Sequence, residues 1–457
     1  MRTRSRLAGC ALLFAAEVML GFAEITAGGQ EQKRKLDEVP LRPPNIILIL
    51  TDGLGWNELG SYGNAFNKTP NLDRLAEQGA RFAQGYAAAP AGRAARAAIL
   101  AGQAPARVGI VNVLEANDGW FLSHERVTLN EALKPKDYVT GLIGKWGLTS
   151  DSDKKQGEPA LHGWDEVILV ETRPIGAGDA FHPYEHIPDA RARSEGEYLT
   201  ERLNQEAVDF VRRHRREPFF LLLSHYAPNS LAAGKPEKVK KYQAKAGAGK
   251  DGNNPELAAK LESIDEGVGA ILEVLDEWNL AKETVVIFTS VYAGEQAGDP
   301  SAPLREGGIR VPLIVWWPAV VRARRTIETP VMGTDLLPTM LEIGEVKTRP
   351  DQPMDGVSWM PLLRGRGSMP RRNLYWHCPV EKPNPHSAGA SGAARQADWK
   401  LIEYYGTGEV ELYDLKTDAG ERNNLAEENR SKAAELRKLL ADWRQQTRPA
   451  EPARVIP

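Results

Sequence analysis

Apolar residues in this chain fall into short unbroken runs that alternate with longer periodic stretches. Ile46–Leu50, Val139–Ile143, Phe219–Leu223, Val285–Phe288 and Pro312–Val315 are brief, rich in branched residues and bounded by turn-forming positions. A strand with one wet face would alternate apolar and polar side chains, so unbroken runs predict strands covered on both faces. Between them lie helical patterns. "TPNLDRLAEQGARF" offers Thr69 as N-cap, Pro70 at the first helical position, Leu72 and Leu75 on one stripe and Gly79 as a stop. "NPELAAKLESIDEGVGAILEVLDEWNL" keeps Leu257, Leu261, Ile264, Val268, Ile271 and Leu275 at spacings of three and four. Strands alternating with helices predict an α/β fold, a mainly parallel sheet flanked by helices, over residues 44–349.

The pattern changes after about Pro350. "DWKLIEYYGTGEVELYDL" alternates on both sides of Gly406-Thr407-Gly408, which predicts an antiparallel hairpin. A closing helix is expected from Ser431 to about Gln446, with Ala434, Leu436, Leu439, Leu440 and Trp443 on one side. Residues 350–446 therefore read as a smaller C-terminal α+β subdomain, followed by a proline-rich tail at 447–457. At the other end, basic "MRTRSR" precedes apolar "LAGCALLFAAEVMLGFA", with Ala23 and Ala27 as candidate cleavage points. This reads as a signal peptide over 1–27, with a polar, proline-ended linker at 28–43 and a secreted or periplasmic product that has no membrane anchor after cleavage. An uncleaved amphipathic tail is the alternative.

Composition alters little. The net charge of −3 gives no reason to expect nucleic acid as a partner. Of the two cysteines, Cys10 and Cys378, only Cys378 survives signal removal, so stability must come from the core rather than from disulfides.

Candidate chemistry begins at "NIILILTDGLGW", where a buried run ends in Asp52. Parallel sheets bind ligands at the C-terminal ends of their strands, so this carboxylate is well placed. Ten segments, taken together and in order, resemble the sulfatase family of the alkaline-phosphatase superfamily: "PNIILILTDGLGWNELGSYG", "TPNLDRLAEQGARF", "RAAILAG", "GLIGKW", "HGWDE", "PFFLLLSHYAP", "VVIFTS", "EGGIRVPLIVWWP", "TDLLPTMLEI" and "DWKLIEYYGTGEVELYDLKTDAGERNNLA". The resemblance implies a formylglycine nucleophile made from the Cys or Ser of a C/S-x-P-x-R motif, and one calcium held by acids. In "AAPAGRAARAAILAG" Arg96 matches the motif's Arg, which puts Gly92 at the nucleophile position and Ala94 at the motif's Pro. Glycine has no side chain to oxidise or hydrate, so the family's covalent route is closed. Asp52 matches the first metal acid, but Gly53 replaces the second, and Val291 and Tyr292 stand where an Asp-Asn pair is implied. Calcium wants six to eight oxygens. No cofactor is therefore expected, with calcium as the alternative should the site function. Asp52 itself reads as a loop residue capping backbone N–H groups.

The remaining positions follow the same course. Gly147 and Asn229 replace two implied histidines, and Ser301 an implied lysine. Arg96 and Lys145 are retained, and His377 and Lys400 resemble family positions near substrate. His225 reads as a packed strand-end residue rather than a displaced base. The sequence thus points to a sulfatase-fold pseudoenzyme whose surviving cations, with Arg93 beside them, bind a sulfated carbohydrate or another small anion. Pairing of those cations with Asp52 and Glu295 is the structural alternative. The rival functions are a sulfuric ester hydrolase with a non-standard site and a structural partner of an active sulfatase.

Overall fold

Strand β1 (Asn45–Asp52) runs through the middle of an eight-stranded sheet. All coordinates come from a computed structural model, which describes residues 42–447 except 112–120, 150–155, 174, 176, 188–189, 192, 230–232, 251, 295–302, 350 and 380–388. The expected signal peptide, Cys10, Glu295 and Ser301 lie outside the described residues, as do the tail beyond Thr447 and nearly all of the linker. The other strands are β2 (Ala80–Phe82), β3 (Gly85–Tyr86), β4 (Val139–Gly144), β5 (Glu166–Ile168), β6 (Phe219–Pro228), β7 (Thr284–Ser290), β8 (Arg310–Val311), β9 (Leu313–Trp316), β10 (Arg325–Ile327), β11 (Val331–Met332), β12 (Asn373–Cys378), β13 (Ser391–Gln396), β14 (Trp399–Tyr404) and β15 (Val410–Asp414). The large sheet has the order β10-β2-β9-β7-β1-β6-β4-β5. It is parallel except at β9, which is antiparallel to both of its neighbours. A small sheet, β11-β3-β8, lies apart from it.

All five predicted runs form strands, and the central ones are buried on both faces as their composition requires. Alternation along β1 sends Ile46, Leu48 and Leu50 into one core and Ile47 and Ile49 into the other. Helix α1 (Pro70–Gln78) begins after Thr69 and buries Leu72 and Leu75 as its pattern predicts. Thr69 does not cap it through its side chain: the hydroxyl accepts from Gly60 N and donates to Asp73 instead. Helix α2 (Gly92–Ala101) packs its alanines against the first core, and small side chains bring its axis close to the sheet. The second core is covered by α3 (Leu199–His214) and α4 (Pro255–Glu277). In α4, Asn254 caps Glu256 N and Leu257 N, and all six stripe residues are buried.

The C-terminal sheet, β12-β13-β14-β15, is antiparallel and contains the predicted hairpin. One face packs with Tyr86, Ala98 and Ile309, and the other carries helix α5 (Arg430–Gln446). Ala434, expected on the inner side of α5, is exposed. Its place is taken by Ala433, which is one position earlier and lines up with Leu436 and Leu440 at helical spacing. Cys378 is buried in the sheet's core, which pushes its thiol up to about 11.

Candidate functional site

The pairing of β1 with β6 shifts register between Leu50 and Asp52, so that Asp52 lies opposite Pro228 and beside Asn229. Its parity still follows Leu50, toward α2. Ser224 follows Phe220 and Leu222 onto the same face. Arg96, on the second turn of α2, reaches into the space between them. One guanidinium nitrogen lies 2.8 Å from Asp52 Oδ2, and the other donates to Ser224 Oγ at 2.5 Å and to the Lys145 carbonyl at 3.2 Å. Lys145 Nζ, from the end of β4, sits 2.9 Å from the same Oδ2, and Asn229 Nδ2 donates to Oδ1 at 2.8 Å. Asp52 is 1% exposed and Arg96 2%, while Lys145 keeps 27% of its side chain in solvent.

Asp52 is therefore an ionic hub, not a cap. It accepts from side chains, whereas the backbone N–H of Leu54 goes to Ser290 Oγ and the Tyr292 carbonyl. Two cations and a side-chain amide converge on it. Burial alone would raise the Asp52 carboxyl, but the Lys145 and Arg96 charges beside it hold it below its ordinary value. Asp52, Arg96 and Lys145 alone sum to one positive charge, presented through Lys145, and the Glu171 carboxylate, bonded to Trp146 N and Gly147 N, stands next to it.

Tyr292 fills the room above the hub. Its ring lies 3.4 Å from where a Cβ on Gly92 would stand, and its hydroxyl 3.4 Å from a Cβ on Gly53. Asn229 Nδ2 also donates to that hydroxyl at 3.1 Å. Val291 is buried in the first core and donates its N–H to Thr51 O, which holds the segment in place. Gly147 has φ +66°, a conformation that a histidine adopts only under strain, and its N–H donates to Glu171 Oε1 at 2.6 Å. Arg93 stands beside Gly92 on the first turn of α2.

Two expected site residues, Lys400 and His377, are not brought to the hub, and His225 is packed away from it as expected. Lys400 is fully buried between Glu306 and Glu421, at 3.0 and 2.8 Å, and cannot touch a ligand. β12 buries Leu374, Trp376 and Cys378 toward one side, so His377 points the other way. It meets Tyr405 and Arg444 on the face that carries α5, and burial followed by the Arg444 charge pushes it down to about 4. His225 shares the parity of Leu221 and Leu223, away from Asp52. It is 1% exposed, neither ring nitrogen has a hydrogen-bond partner among the described residues, and burial lowers it to about 3.

That histidine makes a prediction about stability. The unfolded ring takes a proton below about pH 6.5 while the folded one stays neutral, so its contribution is full above that pH and declines as acid is added. Over the range of about pH 6 to 4 the expected loss is about 1.4 kcal/mol per pH unit from His225. Urea unfolding at three pH values should show a shallower slope in His225→Phe, and an unchanged slope would remove His225 as the cause.

Ser224 and Glu171 belong to the site and were not singled out from the sequence. Ser224 left a faint signal as the polar break in "PFFLLLSHYAP". Glu171 left none, because it arrives from a distant loop to hold Trp146 N, Gly147 N and Tyr226 Oη.

Comparison with known proteins adds to this geometry. The Sulfatase family profile matches residues 44–346, and one described as N-sulphoglucosamine sulphohydrolase, C-terminal, matches 303–446. Human N-acetylgalactosamine-6-sulfatase is 32% identical over 363 residues, covering 71% of this chain and 67% of that protein. Mouse steryl-sulfatase is 30% identical over 431 residues, covering 74% and 67%. The crystal structure of Ps i-CgsB superposes with a TM-score of 0.78 at 25% identity, over 90% of this chain and 94% of that one. BT4656, solved in complex with D-glucosamine-2-N,6-O-disulfate, gives 0.70 at 22%, over 89% and 98%.

Proposed function

The chain belongs to the sulfatase family, and we propose that it is a non-catalytic member of it, exported through its N-terminal segment, that binds sulfated carbohydrate without turnover. One observation carries this reading: the only acid at the expected metal position, Asp52, is spent on Arg96, Lys145 and Asn229. The donors present do not suit calcium. Position 53 has no side chain, position 292 offers a phenol, and no group of three or more His, Cys, Asp or Glu among the described residues could hold a metal ion. With Gly92 at the nucleophile position and Tyr292 packed against it, nothing there can form a covalent sulfo intermediate by the family's route.

Binding fits the charge that remains. Arg96 is buried and bonded to Asp52, Ser224 and the Lys145 carbonyl, so Lys145, which keeps 27% of its side chain in solvent, is the contact that a sulfate can reach. The human relative is named for a sulfated amino sugar, which supports sulfated carbohydrate as the class. One or two charge-assisted hydrogen bonds at about 1.5–3 kcal/mol each give millimolar affinity.

The expected results are a millimolar Kd for inorganic sulfate by calorimetry, roughly tenfold weaker in Lys145→Ala, weaker in added salt and unchanged by chelator. No aryl sulfate should be hydrolysed above background. Gly92→Cys, expressed in a host that makes formylglycine, should stay inactive, because metal and proton-transfer groups would still be missing. Turnover that follows the protein through Lys145→Ala would instead support the hydrolase reading.

A further inference from the structure

Beyond the Asp52 hub, a cavity of about 410 Å³ opens between the segment that follows β1 and the one that follows the helix at Pro236–Gln243. Asn57, Tyr62, Asn64, Phe66, Lys245 and Asn253 line it, and Lys245 is the one lining residue with a formal charge. The Lys245 ammonium has no carboxylate partner among the described residues. It donates to the carbonyls of Ala65 and Phe66 and lies over the Phe66 ring at 4.8 Å from the centroid.

The surroundings sharpen this. Burial first, then the Lys68 and Lys241 charges, disfavour the protonated form of Lys245. Lys241 is matched by Glu262 at 2.7 Å, whereas Lys68, like Lys245, forms no ion pair among the described residues. Glu58, the nearest acid along the chain to Asn57, is engaged by Asn67 and Asn64, and burial raises its carboxyl. Lys245, unmatched and repelled by the Lys68 and Lys241 charges, lines an open cavity where an anion lowers the energy by offsetting that repulsion. The amides and aromatic rings around it suit hydroxyls and the apolar face of a sugar.

We infer that this cavity is a second contact site for sulfated saccharide, with Lys245 as the sulfate-binding group and the Asn57 and Asn253 amides facing the ring hydroxyls. The choice of a sulfated ligand rests on the function proposed above; the site itself does not involve Asp52. Four residues lie between Asp52 and Asn57, so the Cα atoms of these two residues are at most about 18 Å apart. Both belong to the loops at the C-terminal end of β1, where one polymer can engage them together. Two weak sites so linked bind a polymer far more tightly than either binds a single ring.

The test uses the full chain, with glucose 6-sulfate, glucose and dextran sulfate as probes in calorimetry. In Lys145→Ala, with the hub silenced, one saturable class of site for glucose 6-sulfate should remain, and Lys145→Ala/Lys245→Glu should lose it. Lys245→Gln, which keeps the buried stem, should weaken it roughly tenfold without changing the melting temperature. Dextran sulfate should lose at least tenfold in affinity in either single variant. If Lys145→Ala matches the parent protein and only the Lys245 variants lose binding, the cavity stands and the hub reading fails. The cavity proposal is overturned by absence of saturable binding in Lys145→Ala, by its persistence in Lys145→Ala/Lys245→Glu, or by glucose binding as well as glucose 6-sulfate.

Discussion

Replacing Asp52 by alanine is expected to lower the unfolding free energy by roughly 3–5 kcal/mol, because it leaves a buried guanidinium without its anion. Arg96 is 2% exposed and cannot turn to water without dragging α2 from the sheet. Lys145 suffers less, since 27% of its side chain is already in solvent. Asp52→Ala combined with Arg96→Met should recover most of the loss, as apolar side chains often replace a buried pair at little cost. Urea unfolding of the two single variants and the double gives the coupling directly, and a cost below about 1 kcal/mol for Asp52→Ala would mean that the hub is not holding the site together. The pH window separates this effect from that of His225. Asp52 has a folded value below its ordinary 3.8, so its stabilisation is complete above that pH and lost only as pH falls further. His225 acts between about pH 6.5 and 3, and over the upper part of that range, above about pH 5, Asp52 is ionised in both states, so the two effects separate there.

Much of the fold was legible because burial on both faces leaves a strong composition signal. The five apolar runs became strands for that reason, and the hairpin at Gly406–Gly408 formed where alternation and turn residues agreed. The direction of β9 was not legible, since a buried run looks the same in a parallel or an antiparallel strand. Nor was the inner face of α5, where alanine sits at both 433 and 434 and only packing decides between them. At the site, local sequence placed Asp52, Arg96 and Lys145 at strand and helix ends but could not tell a free cation from a paired one. That depends on a register shift between β1 and β6 and on a serine in β6, which is beside β1 in the sheet but far from it in sequence. Parity agrees with the reading of His225 as a packed residue, because it is odd-numbered in β6 while Ser224, which faces the site, is even. The same period-two argument turns His377 away from the core of its sheet.

The side of the hub that a ligand can reach also follows from packing. α2 begins at Gly92 with its alanines against the sheet, so Arg96 is delivered inward and only Lys145, at the open end of β4, meets solvent. Tyr292 fits there because Gly53 and Gly92 leave room for its ring.

Lys400→Met is expected to cost roughly 3–5 kcal/mol in stability and nothing in ligand affinity, because it strands two buried carboxylates rather than removing a binding group. Lys400 lies 3.0 Å from Glu306 and 2.8 Å from Glu421, which are 6% and 2% exposed. The Tyr86 hydroxyl donates to Glu306 at 2.7 Å, and Glu306 N donates to Glu421 at 2.6 Å, so the cluster ties the segment before β8 to the one after β15. Burial pushes the Glu421 carboxyl up, with the Lys400 charge opposing it. Burial works on Glu306 in the same direction, but there the Lys400 charge and the Tyr86 hydrogen bond win and hold it below its ordinary value. Without Lys400 both carboxyls rise, and the folded protein takes up protons that the unfolded chain does not. The destabilisation should therefore be smaller at pH 5 than at pH 8, the opposite of the trend set by His225. Lys400→Met/Glu421→Gln should regain much of the loss at pH 8, since one stranded charge is removed. If Lys400 instead contacted substrate, the single variant would unfold like the parent protein and lose sulfate binding. Urea unfolding at the two pH values and sulfate calorimetry on the folded variant separate the two outcomes.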